Sequence, residues 1–176
     1  MRRFLRPFLL LIAIGLMSQP LKAQIVDLND TRTAEEKWAR STVMIDFAWV
    51  SAISHAKEMG QTAEEYGRWA GKFGAPTWGT PGQRPMSDFV QTMHRNYNLW
   101  SALEFEVLEE SETEIKGRMN TPYAAFFGES GERLGVSLDE FRTVWLLMYE
   151  ECASYLGFDM IHKVDGDWIE FTVTAR

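Results

Sequence analysis

The sequence predicts an α+β fold in which a helical layer packs on one face of a four-stranded antiparallel sheet. Two patterns support this prediction. Apolar residues recur at helical spacing in four segments, and three of these begin with a hydroxyl residue placed three positions before a glutamate. In two other regions the apolar period is two, and a polar turn divides each region into a pair of strands. The predicted order is helix, helix, helix, hairpin, helix, hairpin.

The first 23 residues have the layout of a secretory signal peptide. Three arginines precede an apolar run over 8–17, which is too short to anchor the chain in a bilayer, and a polar stretch follows. We expect cleavage after Ala23, an N-terminal extension over 24–32 and a single domain over 33–176. No cysteine follows the apolar run, so the mature protein is expected to be periplasmic or secreted, soluble, and not a lipoprotein.

The first two predicted helices begin with the same tetrapeptide, TAEE. In this capping box the threonine hydroxyl and the second glutamate each accept a hydrogen bond from the other residue's backbone amide. From Thr33 the apolar spacing predicts a helix over 34–59 that stops at Gly60. From Thr62 the same signals predict a second helix over 63–73.

The middle of the chain predicts a loop, a third helix and a hairpin. Segment 74–86 holds three of the six prolines, which exclude a helix or a central strand. Helical spacing resumes over 87–102. Apolar residues then alternate with charged ones on either side of a polar turn at 109–111, which predicts a hairpin with one wet face and one dry face.

A loop rich in glycine and aromatic residues leads to the last helix and the last hairpin. Ser137 begins a third capping box, the apolar stripe covers 138–156, and Gly157 is placed to end the helix in the left-handed conformation. Asp165 and Gly166 lie between two runs of β-forming residues, which predicts that these two residues form the turn of the hairpin.

The overall charge excludes some classes of partner. The 176-residue chain has a formal net charge of −7, and its first 23 residues contain four cations and no acid, so the mature chain would carry −11. Such an acidic chain is not expected to bind nucleic acid or anionic lipid. The sequence contains no glycine-rich phosphate loop, no GxSxG motif and no CxxC pair, so no cofactor is implied by a motif.

Cys152 is the only cysteine, so no internal disulfide can form. The residue lies on the apolar stripe of the last helix, where a free cysteine is usually buried and inert. Burial, together with the neighbouring Glu150 and Glu151, would raise the pKa of the thiol and suppress the reactive thiolate. Core packing is therefore the favoured interpretation, and a catalytic nucleophile is the alternative.

The histidines and one aspartate are further candidates for a site. A turn at 165–166 would pair His162 with Ile169 on the apolar face of the sheet, either as a hydrogen-bonded core group or as a pocket group. Asp46, His55 and His94 lie at the edges of helical stripes, where polar groups normally meet water. These side chains could converge above the sheet, but the histidines lack the spacing of metal ligands, so we predict no metal site.

Three aromatic residues in loops are candidates for binding a ligand. Trp78 falls in the proline-rich loop, and Tyr123 and Phe127 fall in the loop before the last helix. Aromatic residues in loops either plug the end of a core or line the mouth of a small-molecule pocket.

The C-terminal half, from LWSALEFEVLEES to WIEFTV, resembles the L-2-amino-thiazoline-4-carboxylic acid hydrolase-like proteins and the 4-vinyl reductase-type small-ligand domains. The terminal strand keeps the Gly166-Asp167 pair and the Phe171-x-Val173 spacing of those families. Ile169 stands where the families usually have a cysteine, which removes the residue most often associated with their chemistry. The resemblance implies a small organic ligand held between helices and sheet, without implying turnover.

These observations give three hypotheses. The first is an exported domain that binds a small, partly apolar organic ligand between helices and sheet, near His162, Trp78, Tyr123 and Phe127, with Asp46 and His55 as further contacts. The second is an enzyme, a hydrolase that opens a C–N ring with His162 or His94 as base and Cys152 as nucleophile. The third is a non-catalytic interaction domain of the cell envelope. We favour binding over catalysis.

Overall fold

Five α-helices and a four-stranded antiparallel sheet make up residues 32–176, the part of the chain that the computed structural model describes. This confirms the predicted α+β class, and the predicted signal peptide lies outside the described residues. No helix within 32–176 is both long enough and apolar enough to cross a membrane. The elements in chain order are α1 (Ala34–Glu58), α2 (Ala63–Gly74), α3 (Met86–Tyr97), β1 (Phe105–Glu110), β2 (Glu114–Asn120), α4 (Ala124–Phe127), β3 (Glu132–Arg133), β4 (Val136–Ser137), α5 (Leu138–Leu156), β5 (Phe158–Asp165) and β6 (Trp168–Ala175).

All three predicted capping boxes form, and they fix where α1, α2 and α5 begin. At α1, for example, the Glu36 amide donates to the Thr33 hydroxyl over 3.1 Å, and the Thr33 amide donates to the Glu36 carboxylate over 2.7 Å. Helix α5 also ends where predicted, because Gly157 adopts a left-handed φ of 100°. Local signals at both ends of this helix therefore set its length.

Helix α3 ends at Tyr97, five residues before the predicted end at Ala102. Two successive tight turns replace its last part, because the Trp100 amide donates to the Tyr97 carbonyl and the Leu103 amide donates to the Trp100 carbonyl. These turns direct the Trp100 indole towards α1, where it binds a carboxylate. The hydrogen bond from Trp100 to Asp46 is thus made where the predicted helix would have continued.

The four strands of the main sheet lie in the order β1-β2-β6-β5, and every pair is antiparallel. The face towards α5 is buried, and the opposite face carries charged and polar side chains. In β2, Gly117 leaves room for the ring of Phe171 from β6, since a Cβ at Gly117 would lie 2.3 Å from that ring. The buried face carries Ile115, Met119, Phe158, Met160, Ile169, Phe171 and Val173.

The predicted register of the last hairpin was wrong. Asp165 pairs with Trp168, so Gly166 and Asp167 form the turn and His162 lies opposite Phe171 instead of Ile169. Gly166 has a φ of 61° at the first central position, which is the position where type II′ turns place glycine. The pairing partner moves by two residues, so His162 keeps the predicted face of the sheet.

Two further segments differ from the sequence prediction. The first hairpin turns at 111–113 instead of 109–111, and a bulge between Val107 and Glu109 leaves Val107 half exposed at the edge of the sheet. The loop before α5 contains α4 and the two-stranded β3–β4 hairpin, where Leu134 has a φ of 51°. Short elements of this kind have no apolar period that could reveal them.

Helix α5 packs against the sheet on one side and against α2 on the other. Its residues are accordingly buried around most of the helix circumference. The close approach to α2 depends on Gly67 and Gly71, which follow one another at four-residue spacing on the buried face of α2. A Cβ at Gly71 would lie 2.8 Å from the Met148 carbonyl oxygen and 2.7 Å from the Glu151 Cβ.

We expect Gly71→Ala to lower the free energy of unfolding by about 1–3 kcal/mol, because the new methyl group would overpack backbone atoms of α5. Gly74→Ala, at the end of the same helix, is the matched control, since its Cβ would meet nothing within 4 Å. The control should leave stability unchanged or raise it by up to about 1 kcal/mol. Urea unfolding of both variants tests the prediction, and equal stability of the two would contradict it.

Candidate functional site

A surface cleft of about 310 Å³ opens between α1, the turn that follows α3, and the segment around α4. Most of its walls are apolar or aromatic, and the polar groups of the lining side chains are three hydroxyls, one indole N–H and one carboxyl. The lining residues are Ala39, Thr42, Val43, Asp46, Trp100, Ser101, Ala102, Pro122, Tyr123, Ala125 and Phe126. We call this the Asp46 cleft.

Asp46 is buried at the base of the cleft, with only 2% of its surface exposed. Its two carboxylate oxygens share one donor, the indole N–H of Trp100, over 3.1 and 3.2 Å. Burial raises the pKa of Asp46 to about 6, because desolvation disfavours the charged form more strongly than the hydrogen bond from Trp100 favours it. The sequence analysis placed Asp46 at a helix border in contact with water, and its burial is therefore a correction.

Thr42 holds the two sides of the cleft together. Its hydroxyl lies 3.1 Å from the Trp38 carbonyl in its own helix and 3.1 Å from the Leu99 carbonyl in the turn after α3. One hydroxyl hydrogen can serve only one carbonyl at a time, so the two contacts alternate or share the donor. Thr42 and Asp46 are four residues apart on the same face of α1. Their hydrogen bonds to Leu99 and Trp100 therefore attach the segment after α3 to α1 at two neighbouring points.

Behind the cleft, buried polar atoms belong to an aromatic cluster. Within residues 32–176, the hydroxyls of Tyr97, Tyr123 and Tyr149 and the indole nitrogen of Trp145 are buried without a hydrogen bond of normal geometry. The Tyr97 and Tyr123 hydroxyls nevertheless affect each other's pKa. Burial raises the pKa of all three tyrosines. Buried polar groups without partners are uncommon, so these four atoms make this part of the core unusually polar.

Tyr97 is the central ring of this cluster. Its centroid lies 5.4 Å from that of Tyr149, 5.6 Å from that of Trp100, 6.0 Å from that of Trp145 and 6.4 Å from that of Tyr123. Trp100 and Tyr123, which line the cleft, also contact each other edge to face. The wall of the cleft is consequently continuous with the core.

Of the residues that the sequence predicted as ligand contacts, Asp46 and Tyr123 both line the cleft. Trp78 and Phe127 lie outside it. The Trp78 ring packs against Phe89 and Tyr149, and the fully buried Phe127 packs against Phe141. Phe127 therefore belongs to the core, and the partly buried Trp78 packs against this core. The cleft is bounded by helices and loops, whereas the predicted place for a ligand was between helices and sheet, where core side chains of α5 and the sheet lie.

The three histidines lie outside the Asp46 cleft. His162, at the edge of the sheet, pairs through Nδ1 with the Glu150 carboxylate of α5 over 2.8 Å. His94 is exposed and its ring lies 5.0 Å from that of Phe105, and His55 is exposed and lines a separate cleft beside α2. Within 32–176, no group of three or more histidine, cysteine or acidic residues is arranged to hold a metal ion.

Cys152 is fully buried between α5 and α2, where its sulfur lies 3.8 Å from the Gly71 carbonyl oxygen. Burial raises the pKa of the thiol to about 12, and the charge of Glu151 adds to this effect. The thiolate that a nucleophile requires is therefore suppressed, and a substrate has no access to the sulfur.

Sequence reasoning missed Trp100 and Thr42 as site residues. Trp100 was assigned to the apolar stripe of a longer third helix, and Thr42 was not considered. Asn96 and Asn98, which favour helix ends and turns, precede Trp100 and were the available signal that the helix stops there. Nothing in the sequence indicated Thr42.

Comparisons with protein-family models, with curated proteins and with solved structures each returned no match. The resemblance of the C-terminal half to the hydrolase-like and reductase-type families stays a prediction.

The raised pKa of Asp46 predicts a pH-dependent stability. The folded protein binds a proton at Asp46 more tightly than the unfolded chain does, so the free energy of unfolding should fall as the pH rises from about 4 to about 6. The shift corresponds to a loss of up to about 3 kcal/mol. Asp46→Asn removes this titration and retains the other ionisable groups.

The measurement is urea unfolding of the wild type and Asp46→Asn in steps from about pH 4 to about pH 8. The stability of the variant relative to the wild type should increase up to about pH 6 and then level off. Other titrating groups are present in both proteins and cancel in this comparison. A difference that stays constant over the whole range would show that Asp46 is not perturbed.

Proposed function

We propose that this protein binds a small, partly apolar organic ligand in the Asp46 cleft. The observation that carries the proposal is the Asp46 carboxyl, which is almost fully buried, lines the cleft and receives, from residues 32–176, one shared hydrogen bond. A buried carboxylate usually has a cation or several donors as partners. A ligand in the cleft would supply the missing partner.

The size and walls of the cleft support a small ligand. Ligand pockets commonly enclose about 300–1,000 Å³, and the Asp46 cleft is at the lower end of this range. Such pockets combine apolar and aromatic walls with a few polar groups that orient the ligand. Here Trp100, Tyr123 and Phe126 supply aromatic surface, and Asp46 and Thr42 supply the polar groups.

The arrangement favours binding over catalysis. The hydrolase hypothesis requires a histidine base beside the ligand, but His55, His94 and His162 do not line the cleft. It also requires a reactive thiol, and Cys152 is buried with a raised pKa. A single carboxyl held by Trp100 can bind and orient a ligand without further chemistry.

We also propose that the protein is exported, on the basis of the signal-peptide layout of residues 1–23. The mature protein should begin at Gln24, directly after the predicted cleavage bond. Intact-mass measurement of the protein from a periplasmic fraction tests this. A full-length mass, or recovery only from the cytoplasm, would contradict the proposal.

Filling the cleft should abolish ligand binding. Ala125 is exposed and lines the cleft, so Ala125→Trp would occupy its volume without entering the core. Ala48→Trp is the matched control, because Ala48 is also exposed and lies on α1 outside the cleft. Native mass spectrometry and ligand-observed NMR with a fragment library should show a bound small molecule in the wild type and the control, and none in Ala125→Trp.

Two results would count against the proposed function. The first is a wild-type protein that retains no small molecule and binds no fragment. The second is binding that survives in Ala125→Trp, which would place the site elsewhere on the protein.

A further inference from the structure

We infer that the ligand of the Asp46 cleft is an organic cation that places an ammonium group against the Asp46 carboxylate and its apolar body against the apolar walls of the cleft. This inference rests on the proposed function and specifies the chemical class of its ligand. It follows from the charges, the donors and the rings that surround the cleft.

Hydrogen bonding at Asp46 favours a cationic ligand. An ionised carboxylate offers about four lone-pair directions, and within residues 32–176 the two oxygens of Asp46 share one N–H donor. The residues that line the cleft include no lysine, arginine or histidine. Among the residues that the structure describes, the carboxylate therefore has neither a charge partner nor a full set of donors, and an ammonium group provides a charge and up to three donors at once.

Two arginines lie near residues that line the cleft. Arg142 of α5 acts electrostatically on Tyr123 and is paired with Asp139 in its own helix. Arg133 lies 5.7 Å from the centroid of Phe126. Neither arginine contributes to the hydrogen bonds of the Asp46 carboxylate or to the lining of the cleft. The negative charge at the base of the cleft is thus left for a ligand.

The walls of the cleft and the overall charge also favour a cation. Tryptophan and tyrosine rings attract a cation within about 6 Å, and the effect increases when water is excluded. Trp100 and Tyr123 line the cleft and are 4% and 1% exposed, so an ammonium group at the Asp46 carboxylate would lie beside aromatic side chains that exclude water. The acidic chain, with a net charge of −7, attracts cations and repels anions over a longer range.

A neutral ligand is the alternative, since a hydroxyl could also donate to Asp46. Above about pH 6 the carboxyl is mainly ionised, and a buried anion gains more from a charge-assisted hydrogen bond than from a neutral one. The two classes can be separated with a pair of probes that share one body. Benzylamine and benzyl alcohol have the same aromatic ring and differ in the charge of the terminal group.

The experiment measures the dissociation constants of both probes by NMR chemical-shift titration at about pH 8, where a primary amine is protonated. The proteins are the wild type, Asp46→Asn and Glu35→Gln. Asp46→Asn preserves the shape of the side chain and removes its charge. Glu35→Gln removes an exposed acid from the same helix and controls for a general effect of net charge.

The wild type should bind benzylamine at least about tenfold more tightly than benzyl alcohol, because the charged contact contributes on the order of 1.4 kcal/mol or more. Asp46→Asn should weaken benzylamine binding at least about tenfold and change benzyl alcohol binding less than about twofold. Glu35→Gln should change neither constant by more than about twofold.

Equal binding of the two probes, with Asp46→Asn leaving both constants unchanged, would overturn the inference. The proposed function would survive that result, provided that Ala125→Trp still abolishes binding. An equal loss of benzylamine binding in Glu35→Gln and Asp46→Asn would also overturn it, since the effect would then come from net charge. If neither probe binds the wild type and no fragment does, the inference and the proposed function both fail.

Discussion

The close crossing of α2 over α5 is the constraint on which the rest of the domain depends. Gly67 and Gly71 bring the backbones of the two helices together, so α5 is enclosed between α2 and the sheet. Enclosure on both sides directs Trp145 and Tyr149 of α5 into the cluster around Tyr97. Helix α1 packs on this cluster through Trp49, and α3 contacts both the cluster, through Tyr97, and the sheet. The Asp46 cleft lies where α1 meets the turn that follows α3.

The core beside the Asp46 cleft contains the buried hydroxyl groups of three tyrosines. The buried hydroxyls of Tyr97, Tyr123 and Tyr149 make no hydrogen bond of normal geometry, although Tyr97 and Tyr123 interact with each other and Tyr149 interacts with Asn96. These hydroxyls lie next to the wall of the cleft, where Asp46 influences the pKa of Tyr123. Core and site therefore share residues, so substitutions at Tyr97 or Tyr123 would alter stability and the cleft together.

Sequence patterns predicted the elements whose ends carry local signals. The capping boxes at Thr33, Thr62 and Ser137 specify helix starts through neighbouring atoms, and Gly157 specifies the end of α5 in the same way. At the end of α3 the local signal of Asn96 and Asn98 was overlooked, and the contact from Trp100 to Asp46, 54 positions earlier, is one that no local pattern reveals. The same limit applied to the site: Asp46 and Tyr123 were predicted separately, and only the fold shows that they share a cleft.

Asp46 connects the stability of the domain with its proposed role. Desolvation raises the pKa of the carboxyl and makes its ionised form unfavourable for folding, which is the usual cost of a buried charge with too few partners. The same removal of water strengthens the attraction between that carboxylate and a cation, because a low local dielectric screens charges less. Under the proposed function, part of the free energy that the buried carboxylate costs the folded protein would be recovered when a cation binds beside it. An asparagine at position 46 would carry neither the cost of the buried charge nor this attraction for a cation.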